Sequence, residues 1–180
     1  MARAKETGKV LLVDDEDVIR EALEELLSAC GYTVSTANSV DNAIKVLEQK
    51  PDIEAVVSDM KMPGKEGVEI LPWLKENNRM LPVIFLTGFG TLETCQEAVR
   101  GGAFDYILKP IEDKEKLLIP LRHAIEKVRM EKMNEELKLD ILRMAEEHER
   151  LLESILNDAQ TKDKVQDKIS AIVSKWDNRK

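Results

Sequence analysis

Four short apolar runs, each ending in a polar or charged side chain, constrain this chain more than any other feature. They are Val10–Val13 followed by Asp14-Asp15, Ala55–Val57 followed by Ser58-Asp59, Val83–Leu86 followed by Thr87, and Tyr106–Leu108 followed by Lys109-Pro110. Runs this short, separated by helix-length amphipathic stretches, predict buried parallel strands. In an open α/β sheet, ligands bind in the crevice at the carboxyl ends of the strands. Three carboxylates, a hydroxyl and an ammonium are thereby expected at one sheet edge. That set suits one divalent cation and one phosphoryl group.

Strand and helix patterns alternate five times. The strands are expected at 9–13, 32–37, 53–58, 82–87 and 104–108. The helices are expected at 16–29, 39–49, 65–77 and 91–100, with a fifth from about 113. Gly31 stands where a left-handed C-cap closes the first helix. Ser39 is a candidate N-cap for the second. Met62-Pro63-Gly64 is a turn signal directly after Asp59, and Gly101-Gly102 ends the fourth helix. Alternating βα units predict a parallel sheet with right-handed crossovers and helices on both faces.

After Pro110 the pattern changes. From Lys114 to Trp176 there is no glycine, and Pro120 is the single proline, marking a kink or a late helix start. Ile141, Met144, His148, Leu151, Ile155, Val165, Ile169, Ile172 and Trp176 fit one heptad seam, weakened by Asp158 and Lys162. Leu118, Leu121, Ile125 and Val128 are two residues out of phase with it, so a register break is expected near 129–137. Asn157–Thr161 reads equally as helix or as a turn, which leaves one rod and a helical hairpin both open. The division expected is a domain over 1–128 and a helical extension over 129–180.

Composition excludes several classes. The net charge of −8 opposes nonspecific binding to nucleic acid or to an anionic membrane. Residues 112–180 carry 16 acidic and 15 basic side chains, so the extension lacks the basic face of a DNA reader. No stretch is apolar enough to span a bilayer, and Met1–Lys9 lacks the core of a signal peptide. Cys30 and Cys95 have no metal-ligand spacing and read as reduced packing residues. A cytoplasmic protein is expected.

The strength of the strand-end residues lies in their combination. Clustered carboxylates raise each other's pKa unless a cation neutralises them. Magnesium takes oxygen ligands and keeps several waters, so Asp15 and Asp59 can supply two ligands, with Asp14 bound directly or through water. Asp59, central among them, can attack phosphorus as a carboxylate nucleophile and form an acyl phosphate. Phosphoryl transfer needs in-line positioning and neutral equatorial oxygens. Magnesium, Lys109 and the Thr87 hydroxyl each cover one oxygen in this reading. Pro110 biases Lys109 toward an extended backbone.

Residues 8–128 resemble the receiver domain of two-component response regulators. The stretches that carry the likeness are Leu12-Val13-Asp14-Asp15-Glu16, Ser58-Asp59-Met60-Lys61-Met62-Pro63-Gly64, Leu86-Thr87-Gly88 and Phe104-Asp105-Tyr106-Ile107-Leu108-Lys109-Pro110. Phe89-Gly90-Thr91 and the helix leaving the domain are similar to receivers of the nitrogen-regulation class. The resemblance implies a flavodoxin-like doubly wound sheet of five parallel strands in order 2-1-3-4-5. It implies Asp59 as phosphoacceptor, Asp14 and Asp15 as magnesium ligands with the backbone carbonyl of Lys61, Lys109 as the phosphate-binding lysine, and Thr87 with Tyr106 as the switch pair. It also implies a histidine kinase or phosphotransfer protein as the phosphodonor.

No ATPase, winged-helix, helix-turn-helix or diguanylate cyclase pattern follows residue 130. His148, in Glu147-His148-Glu149, falls on the seam and reads as a polar core layer before a phosphodonor histidine. Met130, Met133 and Met144, at near-helical spacing, read as core residues rather than a promiscuous groove. The expectation is a phospho-switch with no enzymatic turnover beyond its own acyl phosphate, whose helical extension dimerises or engages a partner. The alternatives are a regulatory receiver of a larger histidine kinase or other coiled-coil-linked enzyme, or of a transcription regulator lacking its DNA-binding part.

Overall fold

A computed structural model of the chain describes residues 8–88 and 101–177. The helix expected at 91–100, the Phe89–Thr91 continuation, Cys95 and Met1–Thr7 lie outside the described residues, as do the side chains of 156, 159–161 and 172–177. Five parallel strands form one sheet in the order β2-β1-β3-β4-β5. They are β1 (Gly8–Val13), β2 (Tyr32–Ala37), β3 (Ala55–Asp59), β4 (Val83–Thr87) and β5 (Asp105–Leu108). The apolar runs are strands because both faces of the sheet are covered, so β3 and β4 are buried at every residue.

Alternation along each strand sends side chains to two separate cores. Leu11, Val13, Val56, Val83 and Phe85 pack with Val40, Ala43 and Leu47 of α2 (Val40–Gln49) and Ile70 and Leu74 of α3 (Ile70–Glu76). Val10, Leu12, Val57, Ile84, Leu86 and Ile107 face the other way. They meet Leu23 and Leu27 of α1 (Asp17–Ala29) and Leu117, Leu121, Ala124 and Ile125 of α4 (Glu115–Asp177). The edge strands β2 and β5 are only partly buried.

The helix ends follow the sequence signals. Gly31 has φ of 91° and donates to the Ser28 carbonyl at 3.0 Å, closing α1. Ser39 Oγ accepts from the Asn42 amide at 3.3 Å, opening α2. The third helix differs from expectation. A 3-10 turn occupies Gly67–Glu69 and α3 begins only at Ile70, rather than at 65. The Gly67 amide donates to the Met60 carbonyl at 2.9 Å, and this ties the segment after β3 down before a helix can start. Helix α4 begins at Glu115, ahead of Pro120, which removes the late start. It then continues through Asn157–Thr161 to Asp177 as helix, which removes the hairpin.

The chain divides into two units, 1–131 and 132–180. Within the first, Leu117, Leu121, Ala124, Ile125 and Val128 of α4 are buried. In the second, Leu137, Ile141, Met144, Leu151, Ile155, Val165 and Ile169 are all more than half exposed. No helix among the described residues is long and apolar enough to cross a membrane.

Candidate functional site

The strand ends bring Asp14, Asp15 and Asp59 together. One carboxylate oxygen from each lies within 4.8 Å of the others. Asp59 is the last residue of β3, and Asp14 follows β1, where its amide extends the ladder to the Ala37 carbonyl at 3.2 Å. Thr87 ends β4, and the Lys109 amide donates to the Thr87 carbonyl at 2.8 Å. Four neighbouring strands thus deliver the acid pair, the central acid, the hydroxyl and the lysine to one edge.

Burial grades these groups. Asp14 is fully buried, Thr87 is 2% exposed, and Asp59 is 8% exposed and reaches the surface. Asp15 is half-buried. Asp14 Oδ1 accepts from the Glu16 amide at 3.0 Å, and Asp59 Oδ1 accepts from the Lys61 amide at 3.1 Å. The Lys109 ammonium bridges the remaining oxygens, donating to Asp14 Oδ2 at 2.7 Å and to Asp59 Oδ2 at 2.6 Å. Burial pulls the Lys109 pKa down, but the hydrogen bonds and charges of Asp14 and Asp59 outweigh it and hold the pKa above the ordinary lysine value. The lysine therefore stays charged and offsets the repulsion between two carboxylates taken out of water. The Lys109-Pro110 peptide is cis. Tyr106 is 37% exposed.

Three supporting roles were not read from the sequence. Arg20 Nη1 donates to the Asp14 carbonyl at 2.7 Å and its other arm pairs with Asp17, fixing the loop after β1. The signal was present in retrospect: an arginine six residues after Asp14, one turn into α1. Ser58 Oγ donates to the Asp59 carbonyl at 2.9 Å and is fully buried. Gly67 lies against that same carbonyl, where a Cβ would collide with the oxygen and stand 2.8 Å from Ser58 Oγ. A glycine there lets the segment after β3 press onto the Asp59 backbone.

An all-oxygen set of three carboxylates fits a hard divalent cation such as magnesium better than a soft metal. The Lys109 ammonium at hydrogen-bond distance adds a fixed positive donor for an oxyanion.

Comparison with known proteins agrees with this geometry. The family profile of the response regulator receiver domain matches residues 10–122. An NtrX-like response regulator of Rickettsia bellii is 37% identical over 135 residues, which is 74% of this chain and 28% of that protein. The C4-dicarboxylate transport transcriptional regulatory protein DctD of Pseudomonas aeruginosa is 37% identical over 144 residues, 80% of this chain and 31% of that one. The chain thus spans under a third of the length of these relatives. Among solved structures, a response regulator receiver domain protein from Clostridium thermocellum superposes with a TM-score of 0.64 at 34% identity, covering 68% of this chain and 98% of that chain. NtrX from Brucella abortus gives 0.66 at 29% identity, covering 73% and 30%. The strand order, the clustered strand-end acids and these matches together place the chain in the response regulator receiver family.

Proposed function

We propose that Asp59 accepts a phosphoryl group from a histidine kinase or phosphotransfer protein in the cytoplasm. The observation that carries this reading is Asp59 itself. It is a carboxylate at the mouth of the strand-end crevice, one oxygen on the Lys109 ammonium and the other on the Lys61 amide. Asp14, Asp15, Asp59 and the backbone carbonyl of Lys61 would hold a magnesium ion. Bound there, the ion supplies positive charge that neutralises phosphoryl oxygens.

The chain's own groups do the rest. An Asp59 carboxylate oxygen attacks phosphorus in line, the bond to the donor's leaving group breaks, and an acyl phosphate forms on Asp59. Lys109 keeps its proton and exchanges its bond to Asp59 for one to a phosphoryl oxygen. Thr87 donates its hydroxyl to another. Thr87 and Tyr106 act as the switch pair: the hydroxyl moves toward the phosphoryl group, the ring turns inward, and the surface of the receiver over 1–128 changes. The helical extension over 129–180 is the output, through self-association. The chain catalyses only the formation and loss of its own acyl phosphate.

A second reading, favoured by the short span against the relatives, makes this receiver the regulatory part of a larger coiled-coil-linked enzyme or transcription regulator. Both readings share the site. Incubation with acetyl phosphate tests it. The expected result is a hydroxylamine-labile phosphoryl group on the chain in magnesium, and none in excess EDTA. Equal labelling in EDTA would remove the metal from the account.

A further inference from the structure

The seam on the extension is symmetric about its own interruption. Leu151, Ile155, Val165 and Ile169 are 51–58% exposed, and Asp158 and Lys162 are exposed as well. All six share one stripe of α4 in the 3.5-residue repeat. Reversing the helix about residue 160 carries Leu151 onto Ile169, Ile155 onto Val165 and Asp158 onto Lys162. We infer that the extension pairs with a second copy of this chain in antiparallel orientation, centred on residue 160, with Asp158 of each copy facing Lys162 of the other. The inference rests on the self-association proposed above and adds its geometry.

Charge decides the orientation. In a parallel, in-register pair every seam residue meets itself. Asp158 then opposes Asp158 and Lys162 opposes Lys162 in adjacent layers, each desolvated against its own sign. In the antiparallel pair the same four charges form two opposed ion pairs, with Ile155–Val165 layers outside them and Leu151–Ile169 layers beyond. The parallel pair holds two like-charge layers in the middle of the seam, where splaying the helices also opens the apolar layers on either side. Sliding the antiparallel pair by one heptad sets Asp158 against Ile155 or Ile169 and leaves every charge without a partner. A charged layer of this kind selects register and orientation at some cost in strength.

Disulfide trapping in the full chain tests this, with Cys30 and Cys95 replaced by alanine. Ile155→Cys and Val165→Cys variants carrying tags of different mass are mixed, oxidised and separated without reductant. A disulfide needs Cα atoms about 4.4–6.8 Å apart. Two copies of residue 155 in the antiparallel pair lie about 15 Å apart along the axis, at 1.5 Å per residue. The expected result is a mixed disulfide in roughly tenfold excess over either self-linked product. Self-linked products without the mixed one would establish a parallel pair and overturn this inference while leaving self-association standing. Sedimentation of the unmodified chain as a monomer at high micromolar concentration would overturn both.

Discussion

At the residue scale, the site is a problem of like charges solved by one lysine. Lys109 reaches two acids from positions 50 and 95 residues earlier in the chain, and among the described residues no buried side-chain polar atom lacks a partner. Removing that ammonium leaves three carboxylates facing one another with one fully buried. Lys109→Ala should lower stability without magnesium by about 2 kcal/mol, less than the ~3–5 kcal/mol of a fully enclosed pair because Asp59 reaches solvent. Added magnesium should recover most of that loss, since a cation in the acid cluster takes over the neutralisation. Thermal melts of wild type and variant, with and without magnesium, measure it. A gap between the two proteins that magnesium leaves unchanged would mean that the acids do not share a cation.

At the element scale, α4 is one helix with two stripes out of phase. Leu121 is fully buried against the sheet, whereas Leu151 is 58% exposed. Leu121→Ala should cost the receiver about 2–5 kcal/mol, and Leu151→Ala close to none, in chemical denaturation of the receiver. Leu151→Ala should instead weaken self-association. Equal effects on unfolding would merge the two stripes into one core. The sequence carried these elements unevenly, for physical reasons. Apolar runs ending in a polar or charged residue marked β1, β3 and β4 to within about two residues, because a strand buried on both faces reads as a near-continuous apolar run. Ile53 misled the start of β3: it is buried at 2% exposure but precedes the strand, and burial alone does not distinguish loop from ladder. The late start of α3 depends on the Gly67 amide bonding the Met60 carbonyl, a backbone contact that no periodicity encodes. The acids and lysine of the site were legible because each closes a strand. Arg20, Ser58 and Gly67 were not, because they act on the backbone of those acids rather than on a ligand.

At the scale of the whole molecule, the receiver unit carries its own two cores, and the described residues of 132–177 carry an exposed seam instead. Truncation after residue 131 should therefore leave a cooperatively folding receiver that still accepts a phosphoryl group, with its self-association reduced in sedimentation. Loss of folding on truncation would make the extension part of the receiver's stability rather than its output. Both cores and the extension serve one claim, that Asp59 is where the signal is written. The most direct measurement is intact-mass spectrometry of wild type and Asp59→Ala after acetyl phosphate and magnesium. The account predicts a single added phosphoryl group on the wild type, removed by hydroxylamine, and none on Asp59→Ala. A phosphoryl group retained by the variant, on any residue, would contradict it.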